Sequence, residues 1–251
     1  FVTESSGGAI SNTHAQIAGW RRRTVCGLRR IPGARLAEAE GCTAELAAHA
    51  GRPLLLACVS PPVGEAVCGW AAETRTPLCT VSPSQLPEVD FSGVDTSTLG
   101  ADRVANLAAA LHLCRLPVIV MDCGSAITTE VLDAERRFRG GAIAPGRALA
   151  RRALHEFTGQ LPLVEMQARV PSPLGTATRA AILAGIDLGA LGTVARLIES
   201  TRGESGLSEA AVVVTGGDRA YFAANLPSVE EAVPDFTLQG MGWLAEKAFR
   251  K

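Results

Sequence analysis

The stretch PVIVMDCGSAITTEVLDAERRFRGGAIAPG, residues 117–146, decides the fold. An apolar run, Val118-Ile119-Val120-Met121, ends in Asp122-Cys123-Gly124-Ser125, and a β-branched run from Ile127 to Val131 follows at once. Polar turn residues 133–137, a Gly-Gly pair and Pro145-Gly146 close the stretch. Run, tight turn, run, turn, run is the pattern of an antiparallel meander. Its first corner carries the chemistry. An Asp at the end of a buried strand, followed by Gly and a hydroxyl residue, sets a carboxylate beside backbone that an anion can approach. Gly124 removes the Cβ that would hold a phosphate away, and the N–H groups of 124–126 with the Ser125 hydroxyl are donors for it. Asp122 can hold a metal, a metal-bound water or a substrate hydroxyl. The four-residue pattern alone also fits an ordinary hairpin with Asp in its turn.

Composition narrows the classes. At 251 residues the chain is one large domain or two lobes, and 47% hydrophobic residues suffice for a core. A net charge of −1 gives no general drive toward nucleic acid or anionic membrane. No apolar stretch is read as reaching the roughly 18–20 residues of a membrane span, and no signal peptide is seen. Seven cysteines without C-x-x-C spacing read as reduced, structural thiols of a cytoplasmic protein, with no support for zinc. The chain begins with Phe, so residues ahead of it are expected to be missing or processed.

Taken in order, residues 1–8 (FVTESSGG) read as a polar tail, and 9–20 as a weak short strand. Arg21-Arg22-Arg23 and Arg29-Arg30 form a basic cluster with no interleaved aromatics, read as a solvated face. An Ala-rich helix is expected over 35–50 with Gly41 as its weak point, a buried strand over 54–59 closed by Ser60-Pro61-Pro62, a helix over 64–74, and a short strand near 78–81. Leu99-Gly100-Ala101-Asp102-Arg103 runs into a helix with apolar residues at 104, 107, 108 and 111. There Asp102 is either a plain N-cap or a proton acceptor beside Arg103, whose charge with the helix dipole attracts a substrate carboxylate. Pro145 to Phe157 reads as a helix with His155 unassigned, and 177–200 as a long helix. Gly185, Gly189 and Gly192 on that helix point to close approach by the other lobe or a second subunit. A strand at 211–214 runs into Thr215-Gly216-Gly217-Asp218, a backbone suited to approach by a nucleotide, before a helix at 219–225. Residues 236–240 are read as leading into a last helix.

Together LGADRVANLAAA (99–110), VIVMDCGSAITTEV (118–131), FRGGAIAPG (138–146), TATRAAILAGIDLG (176–189), VVVTGGD (212–218) and DFTLQGMG (235–242) resemble the type III pantothenate kinases of the actin-like and sugar-kinase superfamily. The strand-plus-SPP stretch at 54–62 also fits, and the resemblance covers about residues 52–245. It implies a two-lobed α/β fold of the actin-like ATPase, ribonuclease H-like kind, with mixed sheets and flanking helices, divided here as 1–112 and 113–251. It implies transfer of the ATP γ-phosphate to the primary hydroxyl of pantothenate, the first step toward coenzyme A. Carried over by position, Asp102 is the general base, and Gly100, Arg103 and Thr178 are substrate residues. Asn12, Thr13, Gly124, Ser125, Thr215, Gly216 and Gly217 are nucleotide and phosphate residues, and Asp122 is the metal residue. Implied too are a homodimer, Mg²⁺ and a monovalent cation, K⁺ or NH₄⁺, with no nucleic acid or membrane partner.

One family motif is altered. The family opens with a strand ending in D-x-G-N-T-x-x-K, whose counterpart here is Ala9-Ile10-Ser11-Asn12-Thr13-His14-Ala15-Gln16. Asn and Thr are kept, but Asp has become Ala9, Gly has become Ser11 and Lys has become Gln16. Ala cannot hold a metal, and Gln lacks the charge that neutralises a phosphate. Three readings follow: a working kinase, an impaired homologue that binds pantothenate or nucleotide as a regulatory protein, and a transcription-accessory protein supported locally only by the Arg21–Arg30 cluster.

Overall fold

The structure, a computed structural model, describes residues 5–10 and 14–249. It divides into two units, one reaching Cys114 and resuming at Pro234, the other running Arg115–Val233. The segment from Pro234 onward groups with the first unit, where the sequence reading put it in the second.

The first unit holds β1 (Ser5–Ile10), β2 (His14–Arg21), β3 (Thr24–Pro32), β4 (Leu54–Cys58) and β5 (Leu78–Thr80), in sheet order β3-β2-β1-β4-β5. The first three strands pair antiparallel, and β4 and β5 pair parallel. Residues 5–8 are therefore strand rather than tail: β1 is central, hydrogen-bonded to β2 on one side and β4 on the other. A ladder on both edges supports even a Ser- and Gly-rich segment that carries no apolar signal. The expected helix over 35–50 is broken into α1 (Gly33–Ala37) and α2 (Ala39–Leu46), since Glu38 is extended. The chain folds back there so tightly that a Cβ on Gly41 would sit 2.1 Å from the Arg35 carbonyl oxygen. Pro61 and Pro62 open α3 (Pro61–Glu73) rather than merely closing β4, because proline suits the first helical turn. The apolar faces of α1–α3 meet β2 and β4 in a core that includes Ile17, Leu36, Leu54, Val67 and Trp70.

Helices α4 (Ala101–Leu113) and α8 (Phe236–Ala248) complete this unit. Residues 236–240 are the first turn of α8 itself rather than its approach. Ala105, Ala108 and Ala109 are fully buried on α4. A Cβ on Gly240 would lie 1.8 Å from the Ala105 carbonyl oxygen, and one on Gly242 would enter the Trp20 indole at 2.3 Å. Thr237 donates to Asn106 Oδ1 at 2.7 Å across the same interface. The closing motif thus brings two helices to backbone contact, which is why the last segment joins the first unit. Arg22 and Arg23 turn β2 into β3 with φ of 50° and 60°, and the Arg23 guanidinium lies 4.5 Å from the Trp243 ring centroid.

The second unit repeats the plan. β6 (Val118–Cys123), β7 (Ala126–Leu132) and β8 (Ile143–Pro145) form the expected antiparallel meander. β9 (Ala211–Thr215) and β10 (Glu230–Glu231) add parallel strands, for an order β10-β9-β6-β7-β8. Pro145 belongs to β8, so the following helix, α5 (Arg147–Glu156), starts later than its sequence pattern implied. α6 (Thr178–Arg202) and α7 (Arg219–Asn225) pack on the sheet, with Val194, Ile198, Tyr221 and Phe222 against Ile119, Met121 and Val214. α6, a long helix as expected, spans 25 residues and matches a membrane span by length and composition, against the reading that no apolar stretch reaches that length. Its Ile182, Ile186, Val194 and Ile198 nonetheless lie in the unit's apolar clusters. None of the seven cysteines is in a disulfide.

Gly240→Ala should destabilise the first unit by about 1–3 kcal/mol, because the added methyl meets backbone that cannot rotate away. The gain of roughly 1 kcal/mol in helix propensity is too small to offset this. Trp20, Trp70 and Trp243 are the chain's three tryptophans and all lie in this unit, so a lower midpoint of fluorescence-monitored urea unfolding checks it.

Candidate active site

In the first unit the candidate residues gather at the start of α4. Gly100, not Asp102, is the N-cap residue; Asp102 stands in the first helical turn. The N–H groups of Arg103 and Val104 reach the Gly100 carbonyl oxygen at 3.1 and 3.2 Å. Asp102 folds back so that its Oδ1 accepts the Arg103 backbone N–H at 2.9 Å. A Cβ on Gly100 would fall 2.5 Å from that same Oδ1. A side chain at position 100 would displace the Asp102 carboxylate from this fold-back. Asp102 and Arg103 are both half-buried, with the positive end of the α4 dipole at their backs. The arrangement presents an acceptor and a cation side by side.

In the second unit Asp122, Thr215, Gly216, Gly217, Gly124 and Ser125 come together at the carboxyl ends of β6 and β9. Asp122 pairs with Thr215 in the parallel ladder and with Thr128 across the hairpin. Gly216 has φ 90°, and a Cβ there would lie 2.5 Å from both Asp122 Oδ1 and the Cys123 carbonyl oxygen. The Asp218 N–H then donates to that Cys123 oxygen at 2.9 Å. From the other side, the Gly146 N–H donates to the Ser125 carbonyl oxygen at 3.0 Å, and a Cβ on Gly146 would stand 2.0 Å from the Gly124 oxygen. The corner is held between two turns at backbone contact.

Two glycines of the corner have no such reason to be glycine. A Cβ on Gly124 would meet nothing closer than 3.9 Å, and one on Gly217 nothing within 4 Å. No described atom crowds either position. The donor inventory differs in one respect from the sequence reading: the Gly124 N–H is spent on the Ala126 carbonyl oxygen at 2.9 Å. Ser125 is exposed, Gly124 and Asp122 are half-buried, and Cys123 is buried, its thiol pushed well up by burial and by the neighbouring Asp122 charge. Thr178 opens α6 with an exposed side chain. Asn12 and Thr13 lie outside the described residues. In the altered motif, Ala9 and Gln16 face each other in the β1–β2 register.

Behind the corner sits a charged network that the sequence reading missed. Arg147 and Asp187 are almost wholly buried, joined Nε to Oδ1 at 2.9 Å. Arg151 donates to the same oxygen at 2.5 Å, and Arg147 Nη1 reaches Asp218 at 3.2 Å. Burial holds the Asp218 carboxyl above the usual carboxylate range, against the pull of Arg147 and Arg151. The available signal was an Asp in the middle of an apolar helix, with two arginines one turn apart on α5.

Two α/β units with the same meander-plus-parallel sheet, and an acidic corner built of glycines at the end of a central strand, define the actin-like and sugar-kinase class of fold. A crystal structure from Campylobacter jejuni, described provisionally as a Baf family transcriptional activator, shares that fold, with TM-score 0.64 and 15% identity over 97% of this chain and 98% of that one. Within the class, residues 9–200 match the family model described as type III pantothenate kinase. The type III pantothenate kinase of Chlorobaculum parvum is 37% identical over 209 residues, 79% of this chain and 77% of that protein. That of Porphyromonas gingivalis is 39% identical over 155 residues, 61% of this chain and 63% of its own length. The chain belongs to the type III pantothenate kinase family.

The glycines separate by substitution. Gly216→Ala should cost the second unit about 1–3 kcal/mol through backbone strain and contact with Asp122. Gly124→Ala should leave its stability within about 0.5 kcal/mol, the range of a substitution that meets no neighbour. Circular-dichroism melts of the two variants compare them directly.

Proposed function

We propose that the chain phosphorylates pantothenate to 4'-phosphopantothenate with ATP, the first step of coenzyme A biosynthesis. The observation that carries this reading is membership of the family, residues 9–200 matching its model; within the first unit the acceptor Asp102 beside the cation Arg103, and within the second the glycine corner beside Asp122, support it. Arg103 and the α4 dipole attract the pantothenate carboxylate, and Thr178 and Gly100 complete the substrate residues. Asp102 accepts the proton of the primary hydroxyl as its oxygen attacks the γ-phosphorus. The bond to the bridging oxygen breaks, and ADP carries away the electron pair. Gly124, Ser125, Thr215, Gly216 and Gly217 receive the nucleotide and its phosphates, with Asn12 and Thr13 from the altered motif.

The donor set fits one divalent ion held sparsely. Among the described residues no group of three or more His, Cys, Asp or Glu could hold a metal. A single carboxylate, Asp122, beside a phosphate cradle is how Mg²⁺ is commonly bound, through one or two carboxylates and the substrate phosphates. When present, the ion neutralises phosphate charge; K⁺ or NH₄⁺ is the monovalent cation of the same reading.

We propose a homodimer in the cytoplasm, with no nucleic-acid or membrane partner. Supporting it, Gly185, Gly189 and Gly192 lie exposed along one stretch of α6, where an added Cβ would meet nothing within 4 Å. Phe157 and Leu174, 84% and 81% exposed, add apolar area in the same unit.

ADP release with ATP, Mg²⁺ and K⁺ should depend on pantothenate. Asp102→Asn should lower kcat by roughly 10²- to 10⁴-fold, the usual worth of a general base, and chelation by EDTA should abolish turnover. Nucleotide or pantothenate binding by calorimetry without turnover would instead establish the impaired, ligand-binding homologue, in line with the loss of Asp and Lys at Ala9 and Gln16.

A further inference from the structure

Arg147 spends its whole guanidinium inside the second unit. Nε donates to Asp187 on α6 at 2.9 Å, Nη1 to Asp218 at 3.2 Å, and Nη2 to the Gln167 carbonyl oxygen at 2.6 Å. Its Cζ lies 3.6 Å from the Tyr221 ring centroid on α7. The residue is 2% exposed, so none of this is a surface ion pair. A buried arginine is tolerated only where every face finds a partner, and the planar fork is suited to hold several at fixed angles.

Its place in the chain gives this arrangement a second consequence. Arg147 follows directly on Gly146, which is bonded to Ser125 and packed on Gly124. Asp218 follows directly on Gly217 and is bonded to Cys123. The Arg147–Asp218 pair therefore closes a ring: corner 122–125, Gly146, Arg147, Asp218, and back to Cys123. Both turns that hold the corner are tied to each other through that one pair. The remaining charge is anchored at Asp187, whose Oδ1 also receives Arg151, while Arg151 bonds the Arg147 carbonyl oxygen at 3.1 Å.

We infer that Arg147 and Asp218 are positioning residues that fix the 216–217 turn against the 122–125 corner and so set the affinity of the nucleotide-phosphate pocket. The inference rests on the reading of that corner as the nucleotide site. Arg147 acts through the backbone of its neighbours, as outer residues around a metal or phosphate site do.

The test is Asp218→Ala, which removes the turn's side of the pair and leaves Arg147 with Asp187, Gln167 and Tyr221. Arg147→Lys is the companion variant, keeping the charge but losing the fork. Each should raise the KM for ATP, and the Kd for ADP by calorimetry, by roughly 10- to 100-fold. The KM for pantothenate should stay within about twofold, a split that a merely structural role would not produce. Equal rises in both KM values, or an unchanged ADP Kd in a folded Asp218→Ala protein, would overturn the inference. If wild-type protein binds ADP without turnover, the kinase reading falls while the ADP measurement still decides this one. If it binds no nucleotide, the inference falls with the pocket.

Discussion

Two stretches of backbone come within about 3 Å of each other only where no Cβ stands between them and every polar group between them is paired. That constraint is met twice at the end of β6. Gly146 lies against Gly124 and Ser125, and Gly216 lies against Asp122 and Cys123. The hydrogen bonds from Gly146 to Ser125 and from Asp218 to Cys123 satisfy the carbonyls that the close approach buries. Once these contacts are made, the direction in which Asp122 and Ser125 leave the sheet is fixed. The meander, the parallel strand β9 and the starts of α5 and α7 are all placed by the same few atoms.

The two sheets share one connectivity, so β1 and β6 are equivalent strands, each central and each leading into a hairpin. In the second sheet that hairpin carries Asp122. In the first, the equivalent strand carries Ala9, opposite Gln16 in the register. The pairing has survived the loss of the charges because a strand bonded on both edges draws its stability from its ladder rather than from its corner. Charge at a strand end and stability of that strand are separable.

The sequence made the second unit largely legible. Apolar runs of buried strands, a turn rich in Gly and Ser, and helices with clear periodicity are local signals, and residues 117–146 carried all three. It was less informative where structure depends on distant partners. β1 has no apolar pattern and exists through β2 and β4. The role of 235–242 is packing of Gly240 on α4, more than a hundred residues earlier in the chain. The candidate residues were found from short motifs, but their reasons were not. Gly216 makes room for the Cys123 backbone and Asp122, while Gly124 and Gly217 leave space that no described atom fills. A string of letters shows a glycine in each case; only the neighbours distinguish a packing glycine from an open one.

The same distinction explains why charge, rather than apolar packing, lies behind the corner. Under the proposed reading the turn keeps its outer face for a ligand and is not fastened by side chains there, and Gly216 and Gly217 have no side chains at all. The first residue that can be held from behind is Asp218. An apolar side chain there would be free to slide along the core, because apolar contact has no preferred direction. A carboxylate facing a buried guanidinium has one, and the guanidinium is in turn fixed by Asp187, Gln167 and Tyr221. Burying that cluster costs desolvation that well-packed apolar residues would avoid, and its raised Asp218 carboxyl records part of that cost. What the fold gains is a turn held in direction as well as in distance, with its open face left bare.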